Sequence, residues 1–149
     1  MDIRRILGAF AFSLALLPAA HAQEASADAA CEAAYASLPP GAILDLLDPQ
    51  AAPAARAAAL AGYQRLAAEM PGCPEFGYTL GQLYRHGEYL PGNLVAQDIA
   101  KARTLILPMA ESGYLPAYAD LAEMEMRHAQ TREAMKWTQV YLHFVDEVL

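Results

Sequence analysis

Apolar positions along this chain recur at three- and four-residue steps, and proline, glycine and small polar residues cut the runs apart. From Ser26 the pattern predicts a first helix to Ser37, opened by a serine suited to capping and stopped ahead of Leu38-Pro39-Pro40-Gly41. A short apolar turn over Ala42–Leu47 closes at Asp48-Pro49. Pro53 suits the first turn of a helix to about Glu69, with Ala59, Leu60, Tyr63, Leu66 and Ala67 on one face, and Met70-Pro71-Gly72 ends it. Pro74 opens the next, which runs to His86, halts at Gly87 and carries a stripe of Phe76, Leu80, Leu83 and Tyr84. A turn-rich stretch, Gly87–Asn93, then leads into a long helix ending at Gly113, with a kink or break expected at Pro108. Pro116 starts a helix to about Ala129 with Leu121 and Met124 inward, and Thr131 caps a last one in which Ala134, Trp137, Tyr141 and Val145 repeat at helical spacing. No segment alternates with period two, so the expected fold class is all-α.

The helices also repeat in pairs. Gly72 precedes Leu80 as Gly113 precedes Leu121, each leucine leads to an apolar Leu83 or Met124 one turn later, and the two copies lie 41 residues apart. A shorter offset of 32 relates Lys101-Ala102-x-x-Leu105 to Glu133-Ala134-x-x-Trp137. Two-helix periods of this length mark an α-solenoid, in which no unit buries its own apolar face and neighbours must stack.

At these residues the chain resembles the Sel-one-like repeat family, relatives of the tetratricopeptide repeats. That family's L-G-x-L-Y-x-x-G is met by Leu80-Gly81-Gln82-Leu83-Tyr84-Arg85-His86-Gly87, its D-x-x-K-A by Asp98-Ile99-Ala100-Lys101-Ala102, and its A-x-x-G-x-x-x-A by Ala110-Glu111-Ser112-Gly113 and Ala117. Gly81 would let paired helices approach closely, Leu83 and Tyr84 would fill the layer between units, and Gly87 and Gly113 would end helices in left-handed geometry. The resemblance covers one good unit, 76–113, and a degenerate one, 114–149, and implies a short α-solenoid of antiparallel helix pairs. There are three departures: the loop between Gly87 and Asp98 is about five residues longer than the family's turn, Pro108 is foreign to the second helix, and Glu125 stands where Tyr is preferred. An irregular helical bundle with accidental matches is the alternative.

Composition sets the compartment. The chain has 149 residues, 56% hydrophobic and 18% charged, which excludes disorder by composition. Arg4 and Arg5, an apolar run from Ile6 to Leu17, then Pro18 and Ala20-His21-Ala22, read as a cleavable secretory leader over 1–22, followed by one helical-repeat domain over 23–149. The apolar residues start directly after the arginines and no serine precedes them, which favours the general secretory route over the twin-arginine one. The leader's run is too short to span a bilayer and no later stretch approaches the needed length, so no stable membrane span is expected after cleavage. A periplasmic or secreted protein follows. Losing Arg4, Arg5 and Asp2 takes the net charge of -7 to -8, and no basic cluster remains, so nucleic acid is not an expected partner. Oxidising surroundings favour one bridge, Cys31–Cys73, over two separate buried thiols.

Candidate chemistry is sparse. His86, His128 and His143 are far apart, and His143 with Glu147 one turn on supplies fewer ligands than a catalytic zinc needs. His86 and Glu88 sit at a helix end, where a histidine favours terminal carbonyls. Asp45 and Asp48 flank a turn, and Glu123, Glu125 and Glu133 are spaced as on a solvated face. No nucleophile elbow or phosphate loop occurs. The expectation is therefore no enzyme, no cofactor and no metal. Another protein is the expected partner, held by an adaptor, scaffold or inhibitor/immunity-type binder through Tyr78, Gln82, Arg85, Glu123 and Arg127, on faces turned from the Leu80 and Leu121 stripes. An exported hydrolase or cell-wall-acting enzyme is the alternative that the resemblance implies. The apolar ending Val145–Leu149 adds an oligomer through the C-terminal helix as a further reading.

Overall fold

Prolines at first turns and turn residues after last turns delimit the helices, and the structure follows that punctuation closely. The computed structural model describes residues 28–128 and 130–148. The leader, the Ser26 cap, Ala129 and Leu149 fall outside these. Helix α1 covers 28–36, α2 Ala42–Leu47, α3 Pro53–Glu69, α4 Pro74–His86, α5 Ile99–Glu111, α6 Leu115–Arg127 and α7 Thr131–Val148, with a 3-10 turn, Gly87–Tyr89, directly behind α4. Among the described residues there is no strand, so the molecule is all-α.

Helix α5 departs most from expectation. It starts at Ile99, six residues after Asn93, because the Asp98 side chain accepts from the Lys101 N–H at 2.9 Å and fixes the cap there. It is also not broken at Pro108. The proline lies in the last full turn, its residue is exposed, and the carbonyl it orphans belongs to exposed Thr104, where water can satisfy it. Gly87 has φ 53 but ψ -137, a region nearly exclusive to glycine and different from the left-handed helical geometry expected of it.

Neighbours in sequence are neighbours in space: α2 packs on α3, α3 on α4, α4 on α5, α5 on α6 and α6 on α7. Helices α4 and α5 are antiparallel, since Tyr84 near the end of α4 bonds Asp98 and Lys101 at the start of α5 while Gly77 near the start of α4 lies against Leu105. A Cβ on Gly81 would sit 2.6 Å from Ile106 Cγ1 and 3.2 Å from the Ala102 carbonyl, so only glycine permits this approach. One core gathers Leu46, Tyr63, Leu66, Phe76, Leu80 and Leu83. A second gathers Ile106, Ala110, Tyr118, Leu121, Met124 and Trp137. Half-buried Tyr84 packs against both. The repeated residues occupy matching places, with Leu80 and Leu121 buried and Leu83 and Met124 buried one turn later. Glu125, expected from its spacing on a solvated face, is instead buried, and its carboxylate is bound by Arg103 Nε.

The Cys31–Cys73 disulfide joins α1 to the start of α4, with Cα atoms 5.6 Å apart. Because it closes a loop of 42 residues, replacing both cysteines by serine should lower the free energy of unfolding by about 2–4 kcal/mol. Urea denaturation of the two forms measures this as a fall in midpoint.

Candidate functional site

On α4, Tyr78, Gln82 and Arg85 lie at one-turn and two-turn spacing and so share a stripe; Asp120, Glu123 and Arg127 do the same on α6. The two stripes face each other. Asp120 accepts from the Tyr78 hydroxyl at 2.8 Å, from the Gln82 amide and from Arg85. The second Arg85 amine reaches Glu123, whose other oxygen pairs with Arg127 at 2.6 Å. Two arginines and two carboxylates thus balance in one ladder that links α4 directly to α6. Its inner end is well covered, with the Arg85 and Asp120 side chains 12% and 16% exposed, while Arg127 at 74% is almost free in water. Burial, reinforced by the hydrogen bond to Asp120, pushes the Tyr78 phenol well above the usual tyrosine range. Tyr63 is raised similarly, first by burial and then by its hydrogen bond with Tyr35.

The ladder ends in a recess of about 330 Å³. Arg85, Glu123 and Arg127 line it together with His86, Tyr89, Gln97, Ile99, Met124 and His128. One wall is the long loop after α4, and it is pinned in place. Asn93 Nδ2 donates to the Leu83 and Gly87 carbonyls at 2.7 and 2.8 Å, Gln97 Nε2 to the Arg85 carbonyl at 2.9 Å, and the Asp98 N–H to the Tyr84 carbonyl at 2.9 Å. Two of these acceptors, the Tyr84 and Arg85 carbonyls, are orphans of the last turn of α4, so the loop helps to cap its C-terminus. The Glu88 carboxylate, bonded to its own N–H and to that of Gln97, is held below the usual carboxylate range. Tyr89 stands out from this wall, 76% exposed.

Of the five residues expected to form an open binding surface, the structure brings all five together but turns them on one another. Tyr78 and Gln82 are spent on Asp120, and only Arg85, Glu123 and Arg127 reach the recess. Sequence reasoning missed Asp120, the hub of the ladder. The repeat offset pairs Leu80 with Leu121 and hence Thr79 with Asp120, beside Tyr78, so stacking the two units on paper would have found it. It also missed that His86 and His128, distant in sequence, line one recess with Tyr89. Among the described residues, the single Cys/His/Asp/Glu group with ligand atoms close enough to share a metal is Cys31, Cys73 and Glu75, and the disulfide occupies both sulfurs. His143 lies beside the Phe144 ring, and the Glu147 side chain, its expected partner, is outside the described residues. No helix among the described residues is long and apolar enough to cross a membrane.

Comparison of the chain with known protein families, with curated proteins and with solved structures gave no match to any of them.

Two outcomes test the ladder. Arg85→Ala leaves Asp120 and Glu123 without their shared cation and should cost about 2–4 kcal/mol, whereas Arg127→Ala, at the exposed end, should cost under about 0.5 kcal/mol by urea titration. The raised phenols give a pH signature. The folded state keeps the Tyr63 and Tyr78 protons that the unfolded chain releases near its ordinary pKa, so their contribution to stability is complete below about pH 10 and declines as the pH rises beyond it. Melting curves at increasing alkaline pH should show that decline, and Tyr78→Phe should reduce it.

Proposed function

We propose that the protein is an exported interaction module: a short α-solenoid of Sel-one-like hairpins that holds a segment of another protein in the recess at the end of the α4–α6 ladder. The observation that carries this reading is the inserted loop over 87–98. In helical-repeat proteins insertions gather on one face, often the binding face, and here the insertion is pinned by four side-chain and backbone hydrogen bonds while presenting Tyr89 to solvent. Tyrosine and arginine are the residue types that most often anchor partners, and Tyr89 and Arg127, both largely exposed, line the recess. Export is supported by the apolar leader of the sequence and by the disulfide. Binding by shape and anchors needs no reaction centre. The alternative, an exported hydrolase, would draw on His86, His128 and Glu123, which line the same recess.

Replacing Tyr89 or Arg127 with a photo-crosslinking phenylalanine analogue in the exporting cell tests the reading. A discrete adduct should form from both positions and not from exposed Gln64 on α3, and Tyr89→Ala should weaken the captured complex about tenfold or more. Equal adducts from position 64, or none from 89 and 127, defeats the proposal. A His86→Ala/His128→Ala variant that keeps binding but loses hydrolysis of an envelope substrate would establish the alternative.

A further inference from the structure

Helix α7 has two faces, and only one is used. Ala134 and Trp137 are buried and Tyr141 and Phe144 half-buried against α6. On the opposite face a second stripe follows the three-then-four spacing of a coiled-coil seam: Arg132, Met135, Gln139, Leu142 and Asp146, all exposed. Met135 and Leu142 are 58% and 52% exposed, and Met126 of α6, 62% exposed, extends their apolar edge. Along that edge runs an apolar groove of about 340 Å³ lined by Met126, Ala134, Met135, Thr138 and Gln139. The stripe is mixed, two apolar residues set among three polar ones.

The stripe is complementary to itself. It has a cation at its start, Arg132, a carboxylate at its end, Asp146, and Gln139 midway between them. When a second α7 is laid antiparallel across a two-fold axis at Gln139, Arg132 of each copy comes opposite Asp146 of the other. The same rotation keeps the Met135–Leu142 edges of both copies on one side, where Leu142 can enter the groove beside Met126, and lets the two Gln139 amides pair at the axis. An isologous contact requires a patch of this kind, one that matches its own image. A parallel pairing would set Arg132 against Arg132 and Asp146 against Asp146.

We propose that the face of α7 formed by Arg132, Met135, Gln139, Leu142 and Asp146 is a homodimer interface, occupied by the antiparallel α7 of a second copy of this chain. The face shares no lining residue with the recess. A contact made chiefly by one helix from each side is small, and the dimer is of the weak class, half-formed at roughly tens of micromolar.

Sedimentation equilibrium of the full chain from about 5 to about 500 µM tests this. The weight-average mass should climb from monomer toward dimer, and Leu142→Glu should hold it at monomer with an unchanged circular dichroism spectrum, because the position is exposed and cannot affect folding through the core. Arg132→Asp and Asp146→Arg should each raise the dissociation constant about tenfold or more. Mixing those two variants should restore association, since each then supplies the charge the other lacks. A wild-type chain that stays monomeric throughout overturns the proposal and leaves the face to a different protein. Single variants that associate like wild type, or a mixture no better than its parts, overturn it as well.

Discussion

The close approach of α4 to α5 at Gly81 is the constraint on which the other packing depends. A side chain there would collide with Ile106 and with the Ala102 carbonyl. Without one, Ile106 is fully buried, and α5 can lie flat enough on α4 to offer its far side to α6. The seam separates two cores that share Tyr84 as a common wall, and Lys101 rests over that ring, 4.1 Å from its centroid. The preference of glycine for other conformations is offset here by the apolar area that the approach removes from water.

From this seam follows the meeting of the polar ladder. Helices α4 and α6 are held at a distance that only long side chains cross, and Arg85 crosses it to reach both Asp120 and Glu123. Mostly buried charges are tolerable only when each has its counter-charge and hydrogen bonds, and here the tyrosine hydroxyl and glutamine amide supply the remaining donors. The ladder therefore fixes the orientation of one hairpin against the next. The residues with charge left over for solvent are those at its end, in the recess.

Much of this was legible in the sequence. Helix limits at Pro53, Glu69, Pro74, His86 and the short Ala42–Leu47 element came from proline, glycine and apolar spacing, because those are local steric rules. The cysteine pairing was expected because the sequence holds two thiols behind a leader-like start, and the structure joins them. What failed was non-local. The pattern led from the turn-rich stretch straight into α5, but the loop over 87–98 is held by hydrogen bonds to α4, a different helix, and Asp98 caps α5 at its end. Likewise Tyr78, Gln82 and Arg85 share the stripe that their spacing gives, but that stripe faces α6 and Tyr78 packs against the second core. Helical spacing within α4 says nothing of what α6 sets opposite, so a stripe facing a neighbour looked the same as one facing water.

The disulfide falls wholly on one side of the seam. It encloses α2 and α3 and ties α1 to α4, while α5, α6 and α7 carry no covalent restraint among the described residues. Its entropic effect on the unfolded chain is therefore confined to the N-terminal half. The second core receives that restraint only as far as the α4–α5 contact transmits it, and the recess, lined by α4 and its following loop on one side and by α6 on the other, straddles the boundary between the two halves.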